Sequence, residues 1–403
     1  MTAPLRVLSL YEGFFAGGAR VLHTDVVAGL HGLPGLHGGT QHHRVLSIAA
    51  RARREATVQR MAEDPRCRRL VAAGVEVRNL GRTAGDTPLG PEAFSTRQLR
   101  RAAALIGQAD VVVSLKEQPL GLLLALRERG MMPAVPVAVS LHRSDPGHAG
   151  PARDWLADAA RTGLVSTAIA CAESTRDAYR EVLGDGVPTH VVANGIDTER
   201  FRPGTMPERA AIRRSLGIPA DAPVVLFAAR FDAMKNPGLF LRAVAAHSQR
   251  RPDTHYLMCG AGMSEANAAL RAACGEAGVA ASSRIHALGI RDDMPNLHRI
   301  ADIVALTSAF GEASPLCLIE GAASGATPIT TAVGDAARVV EGFGVVTAHD
   351  PIEIAGAWDR VLAARPVLRH RALAARPRLS RERMIEEYRL AIESLAVRVP
   401  LAA

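Results

Sequence analysis

The sequence predicts an α/β protein of two domains, each built on a parallel sheet. Three observations carry this expectation. Short apolar runs recur along the 403 residues at intervals long enough to hold a helix; the runs fall into two series; and a stretch rich in Gly, Pro and charge, Asn194–Ala222, separates them. Buried strands alternating with longer amphipathic segments are the pattern of βαβ units, and the length fits two or three domains.

The elements follow in order. In the first series the strand candidates are Arg6–Leu10, Arg44–Ile48, Val75–Asn79, Val111–Ser114, Val135–Leu141, Ala168–Cys171 and His190–Val192. They are short and mostly aliphatic, as strands covered on both faces should be. The second series is Val224–Ala228, His255–Cys259, Ile285–Leu288, Ile303–Leu306, Thr327–Thr330 and Val345–Val346. Two such series favour two Rossmann-like domains over one barrel. The expected boundaries are residues 1–197 for the first domain and 198–380 for the second, with an amphipathic C-terminal helix, residues 381–403, rejoining the first.

Composition limits the function classes. Apolar residues make up 48% and charged residues 22%, which argues for a globular chain and against disorder. Aromatics are 4%, so the cores rest on Ala, Val, Leu and Ile. The formal charge is +8, but the basic residues are scattered and not interleaved with aromatics, so no nucleic-acid partner is expected. Five cysteines without a C-x-x-C pair read as free thiols of a reducing compartment. No apolar run reaches the roughly 18 residues of a membrane span; the expected location is the cytoplasm. The glycine-rich stretch Gly32–Thr40, with His42 and His43 behind it, matches no usual metal-ligand spacing. No metal or cofactor is expected, and the oligomeric state is left open.

Four segments have the residue types for chemistry. Strand Arg6–Leu10 runs into Y-E-G-F-F-A-G-G-A-R, where Gly17 and Gly18 let backbone N–H groups approach an anion at a helix start. It is neither a G-x-G-x-x-G nor a Walker-type loop, and a plain tight turn reads equally well. His142 and Asp145 follow strand Val135–Leu141 in S-L-H-R-S-D, at a carboxyl end where ligands bind in open α/β sheets, although a solvated loop histidine fits too. Arg230 and Lys235 follow strand Val224–Ala228, and two cations on one loop suit a diphosphate. Lys235 is one of two lysines among 48 Lys plus Arg, so a compact ammonium survives there against a strong arginine bias. Last comes G-E-A-S-P-L-C-L-I-E. Ser314 is expected as the N-cap and Pro315 as the first helical residue, which frees the N–H groups of Leu316 and Cys317 for an anion; Glu312 lies before this helix and Glu320 within it.

Taken together, these segments resemble the retaining GT-B glycosyltransferases of family 4, also called group 1. The resemblance is strongest from Val191 to Val346. It covers V-V-A-N-G-I-D-T-E-R-F-R-P, V-V-L-F-A-A-R-F-D-A-M-K-N-P, L-M-C-G-A-G-M, H-A-L-G-I-R-D-D-M and the segment from Ala301 to Gly325, in this order. It implies two Rossmann-like domains facing a cleft, with the last helix crossing back to the first. It also implies that Arg230 and Lys235 hold a donor diphosphate, that Glu312 meets the donor sugar and Glu320 the ribose, and that Ser314, Leu316 and Cys317 border the phosphate. Ile290 and Arg291 would lie near the base, Gly17 and Gly18 in a loop over the donor, and His142 beside the transferred sugar. Ser314, Ala229 and Ala261 depart from residues common in the family, which bears on the choice of sugar. No D-x-D motif supports a metal-dependent GT-A alternative.

The expected reaction moves a hexose or amino-hexose from a nucleoside-diphosphate sugar, with UDP the expected nucleotide, to a hydroxyl of a small acceptor. Glu12, Lys116, Glu117 and Asp145 are the acceptor-side candidates. Their carboxylates would suit a cationic aminocyclitol of an aminoglycoside-type antibiotic pathway, and the Arg-rich, Lys-poor composition fits a high-GC genome. The rival readings are a membrane-surface transferase acting on a lipid or polysaccharide precursor, and a sugar-nucleotide epimerase of the same fold.

Overall fold

The computed structural model describes residues 3–15, 17–35, 39–54, 57–279 and 284–397. His37 and residues 398–403, parts of the glycine-rich stretch Gly32–Thr40 and of the expected last helix, lie outside them. The chain divides into two compact units, Met1–Asn194 with Met384–Ala403, and Gly195–Arg383.

The first unit is built on strands β1 (Leu5–Tyr11), β2 (Gln41–Arg54), β3 (Thr57–Arg60), β4 (Glu76–Ala84), β5 (Val111–Leu115), β6 (Val137–Leu141), β7 (Thr167–Ala170) and β8 (Thr189–Val191). Their order is β3–β2–β1–β5–β6–β7–β8, with β4 also on β2. The pairings are parallel except the β2–β3 hairpin. Strands β5 and β6 are buried along their whole length, so both faces are covered by helices. Helix Leu120–Glu128 supplies Leu120, Leu122, Leu123 and Leu126 to this core.

The second unit holds β9 (Val224–Ala228), β10 (His255–Cys259), β11 (Arg284–Gly289), β12 (Ile303–Leu306), β13 (Thr327–Thr331) and β14 (Val345–Thr347), all parallel, in the order β11–β10–β9–β12–β13–β14. Alternate residues face opposite sides. Val224, Leu226, Val304 and Leu306 pack against helix Leu316–Ser324 through Leu318, Ile319, Ala322 and Ala323. Val225, Phe227, Ile303 and Ala305 pack on the other side with Phe240 and Trp358. A Cβ at Gly321 would come within 2.5 Å of Val304 Cγ2, so the glycine lets the helix lie close on β12.

In each sheet the strand order reverses at one place: between β1 and β5 in the first, between β9 and β12 in the second. The crevice at the carboxyl ends of the strands flanking such a reversal is where open α/β sheets bind ligands.

Two expectations need correction. The strand expected over Arg44–Ile48 runs on to Arg54 and turns back as β3. Arg51 and Arg53 point to solvent while Ala52 is buried, a two-residue alternation with arginine on the outer face. The Asn194–Ala222 stretch is not all connection. It contains helix Met206–Ser215, which opens with a Thr205–Glu208 capping box, and Ile218 is part of the second unit's core.

Candidate functional site

In the second unit the loops after β9 and β12 are tied to each other. Ala309 N donates to Met234 O at 2.8 Å, and Thr307 Oγ1 donates to Asn236 O at 3.1 Å. Asn236 adopts a left-handed conformation (φ 49°) and accepts from Leu239 N, which starts helix Pro237–Ser248 with proline at its head. Asp232 Oδ1 accepts from Lys235 N at 2.9 Å and its Oδ2 lies 3.1 Å from Arg230 Nη2.

This scaffold brings Lys235 Nζ within 2.5 Å of Glu312 Oε1. Glu312 is 4% exposed. Its Oε1 also accepts from Ser308 Oγ, and Ser308 is fixed in turn, its carbonyl accepting from Thr331 Oγ1 at 2.7 Å and His349 Nε2 at 2.9 Å. Both donors use the same carboxylate oxygen, and Oε2 has no hydrogen-bond partner among the described residues. Gly334 (φ +53°) completes the enclosure: a Cβ there would collide with the Glu312 carbonyl oxygen. Arg230 does not join the cluster; its side chain is 66% exposed.

Helix Leu316–Ser324 starts one residue later than the sequence predicts. Pro315 is the N-cap and no side chain caps the helix, so Ser314 is not the cap. Proline has no N–H to lose and its φ of −70° suits the position. The first N–H groups of any helix have no intrahelical acceptor, here those of Leu316 and Cys317. Burial pushes the Cys317 thiol up to about 12, so it stays uncharged. Glu320 lies about one turn into the helix, its Oε2 3.3 Å from Nε2 of the buried His298. Ile290, at the carboxyl end of β11, is 77% exposed, and Arg291 is forked onto Asp293 at 2.7 and 2.8 Å.

In the first unit a pocket of about 280 Å³ opens at the β1/β5 reversal, lined among others by Glu12, Phe15, Arg20, Asp86, Lys116 and Arg143. Arg20 ties the loop after β1 together: its Nη2 lies 3.1 Å from Glu12 Oε2, its Nε donates to Gly13 O at 2.8 Å, and its guanidinium sits 3.3 Å from the Phe15 ring centroid. Gly17 is the N-cap of helix Gly18–Leu30. Lys116 has φ 70° and is held there by Ser114 Oγ, which donates to its carbonyl, and by its own N–H to Ser140 O, both at 2.9 Å. Burial, with Arg143 next, lowers the Lys116 pKa to about 8.

Two acceptor-side candidates do not line this pocket. Glu117 is fully buried and accepts from Tyr179 OH, because the chain after the left-handed Lys116 turns directly into helix Leu120–Glu128, with Leu120 N on Glu117 O. Asp145 caps the turn Pro146–Ala149 and lies 2.7 Å from His148 Nδ1; it reaches the pocket only through His148. His142 Nε2 lies 2.9 Å from Ser140 Oγ, which lies 2.8 Å from Tyr388 OH on the helix Arg381–Val397. Burial first, then His23 and Lys116, lowers the His142 pKa to about 3. Among the described residues no cluster of His, Cys, Asp or Glu is placed to hold a metal ion; His31 Nδ1 instead accepts from His43 N. Among them, too, no helix is long and apolar enough to cross a membrane.

Comparisons with known proteins bear on the fold and the family. The fold is that of solved GT-B glycosyltransferase structures. Anabaena HepE in complex with UDP superposes with a TM-score of 0.76 at 19% identity, over 97% of this chain and 100% of that one. WaaG, a glycosyltransferase involved in lipopolysaccharide biosynthesis, gives 0.67 at 15%, over 96% and 99%. A model of the group 1 glycosyl transferases matches residues 208–378, and one of Glycosyltransferase Family 4 matches residues 43–200. The chain belongs to this family of glycosyltransferases. Among curated relatives, the D-inositol 3-phosphate glycosyltransferase of Saccharomonospora viridis is 36% identical over 46% of this chain and 45% of its own length. That of Corynebacterium diphtheriae is 34% identical over 48% and 47%. These matches span about half the length of the curated relatives.

Sequence reasoning missed Ser308, His349 and Gly334, which fix Glu312, and Asp86, Arg143 and Tyr388. Ser308 and Arg143 lie just past strand ends, a signal that was available. His349, Gly334 and Tyr388 arrive from distant segments and leave no local signature.

Proposed function

We propose that this chain is a retaining glycosyltransferase that moves a hexose or amino-hexose from a UDP-sugar to a hydroxyl of a small acceptor. The observation that carries the reading is the enclosed Lys235–Glu312 pair at the β9/β12 reversal, beside the open start of helix Leu316–Ser324. The ammonium and the helix N–H groups of Leu316 and Cys317 meet the diphosphate, with Arg230 at the rim. Glu312 Oε2 accepts from sugar hydroxyls. Glu320 takes the ribose, and the exposed Ile290 beside Arg291 offers a surface for the base. In the first unit, Gly17, Gly18 and His142 are the candidates for a donor contact, and the His142 imidazole is neutral near pH 7.

The acceptor oxygen bonds to the anomeric carbon while the bond from that carbon to the diphosphate breaks. The acceptor proton passes to the departing phosphate oxygen on the same face, so configuration is retained. No protein nucleophile takes part, and Glu312 is not one of a glycosidase pair. The reaction as proposed uses no metal or cofactor. The UDP and UDP-glucose complexes of Anabaena HepE support UDP as the nucleotide.

A cationic aminocyclitol would need acidic pocket walls. Glu117 is buried, Asp145 is engaged with His148 and Glu12 with Arg20, so none of the three carboxylates expected to meet that acceptor is offered to it. Incubating the protein with UDP-glucose and an acceptor panel, and detecting glycoside by mass spectrometry, tests the reading; unchanged turnover in Lys235→Ala would sink it. The basic β2–β3 ribbon, with Arg51 directly opposite Arg60, favours a second reading in which the enzyme works on a membrane precursor. Like charges facing across strands cost energy unless an anion lies near. Sedimentation with anionic vesicles separates the two.

A further inference from the structure

We propose that the first unit's pocket is an anion subsite: it takes an acceptor that carries a phosphate, sulfate or carboxylate group, gripped between Lys116 and Arg143. The inference rests on the glycosyl-transfer reading above for the word acceptor, and on the pocket for everything else.

The pocket lies at the β1/β5 reversal, where the fold presents backbone and side chains to a ligand. Its volume of about 280 Å³ lies at the small end of the roughly 300–1,000 Å³ range of ligand pockets, a size suited to a six-membered ring with one charged substituent. Three cations line it, Arg20, Lys116 and Arg143, against two carboxylates, Glu12 and Asp86. Arg20 and Glu12 are paired, which leaves Lys116 and Arg143 facing Asp86. Among the described residues neither Lys116 nor Arg143 has a carboxylate within ion-pair distance, and the Arg143 guanidinium donates to the His148 carbonyl.

The two cations come from the ends of neighbouring strands, β5 and β6, and they repel each other: Arg143 is the second cause, after burial, of the lowered Lys116 pKa. A protein holds like charges together at a cost unless a ligand relieves it. The backbone carries a cost of its own at Lys116, whose φ of 70° is uncommon for a residue with a Cβ and is over-determined by Ser114 and Ser140. An anion between them would screen the repulsion and take a forked contact from the guanidinium, a geometry suited to phosphate and carboxylate.

The test is calorimetric titration of the full chain, in the presence of UDP, with D-inositol 3-phosphate, inositol and 2-deoxystreptamine. The expected order is the phosphate ester tightest, by about tenfold or more over inositol, with the aminocyclitol weakest. Arg143→Met and Lys116→Met should each remove most of that preference, and UDP affinity should stay at the wild-type value. Arg143 is partly exposed, so its variant serves if Lys116→Met fails to fold. Phosphatidylcholine vesicles with and without phosphatidylinositol form a second arm. Retention on the anionic vesicles that Arg143→Met abolishes also supports the subsite and assigns the anion to a lipid headgroup. Equal affinity for inositol and its phosphate with no such retention, tighter binding of the aminocyclitol, or a preference that survives both substitutions would overturn the proposal. Those results leave UDP binding and its dependence on Lys235 intact, so failure of the subsite is distinguishable from failure of the transferase reading.

Discussion

The two strand-order reversals of this chain carry opposite electrostatics. At β9/β12 each cation has a carboxylate: Lys235 with Glu312, Arg230 with Asp232, and nearby Arg291 with Asp293. At β1/β5 Arg20 is paired, but Lys116 and Arg143 have no carboxylate partner among the described residues. The same sheet topology therefore supports two strategies. The second unit fixes its cations with its own acids, which would pre-organise the proposed diphosphate cradle. The first unit holds two cations that repel each other, with Glu117 and Glu12 offsetting the charge of Lys116 only in part, and on the proposal above the rest is left to the ligand.

The largest expected effect breaks the paired side. Lys235→Ala removes the charge proposed to meet the leaving group, so kcat with UDP-glucose should fall by about 10²–10³, and Glu312 is left buried without its ion-pair partner. Steady-state kinetics on folded protein checks this. Next is Gly334→Ala, which puts a Cβ against the Glu312 carbonyl at φ +53°. The left-handed backbone alone costs about 1–3 kcal/mol and the clash adds to it, so denaturant unfolding should show lower stability. UDP affinity should drop while binding of inositol 3-phosphate is unaffected, because the damage is confined to the second unit.

The unpaired side should be the one that feels pH. Lys116 has a pKa lowered to about 8, and the charged or titratable groups around it are Glu12, Arg20, Asp86, Glu117, His142, Arg143 and His148. An anion favours the ammonium, so anionic-acceptor affinity should weaken as pH rises through about 8, by up to about tenfold; for a phosphate ester the plateau reaches down only to its own second ionisation at about pH 6. Lys116→Met should flatten that limb, whereas UDP affinity should not show it.

The smallest effect is Tyr388→Phe. Burial raises the Tyr388 pKa, so the phenol keeps its proton within 2.8 Å of Ser140 Oγ, which lies 2.9 Å from His142 Nε2. With Tyr388 as donor to Ser140 and Ser140 as donor to Nε2, the ring proton is expected on Nδ1. Losing this link costs about 0.5–1.5 kcal/mol, a few-fold in kcat/KM. The ¹⁵N shifts of the His142 ring, identified by the signal lost in His142→Gln, should move toward a mixture of tautomers, which a merely structural role would not produce.

Much of this was legible in the sequence because strands buried on both faces are written as aliphatic runs. Val224–Ala228, His255–Cys259 and Ile303–Leu306 have the same bounds in sequence and structure. The β2–β3 ribbon was not, since arginine on its outer face hides the alternation. Lys235 and Glu312 stood out by composition and by place, but Ser308, His349 and Gly334 fix them through contacts set by tertiary packing. At Glu117 the sequence shows where β5 ends but not which way the next side chain points; one left-handed residue, Lys116, sends it to Tyr179 and the core. Ser314 was expected to cap its helix because serine commonly does, yet proline holds that position here.

On the proposed reading the β9/β12 loops form a diphosphate cradle around Lys235 and Glu312. Calorimetric titration of UDP into the wild-type chain and into Lys235→Ala decides whether they do. Saturable binding to the wild type and at least about tenfold weaker binding to the variant are expected; equal affinity, or no UDP binding by the wild type, would overturn the cradle.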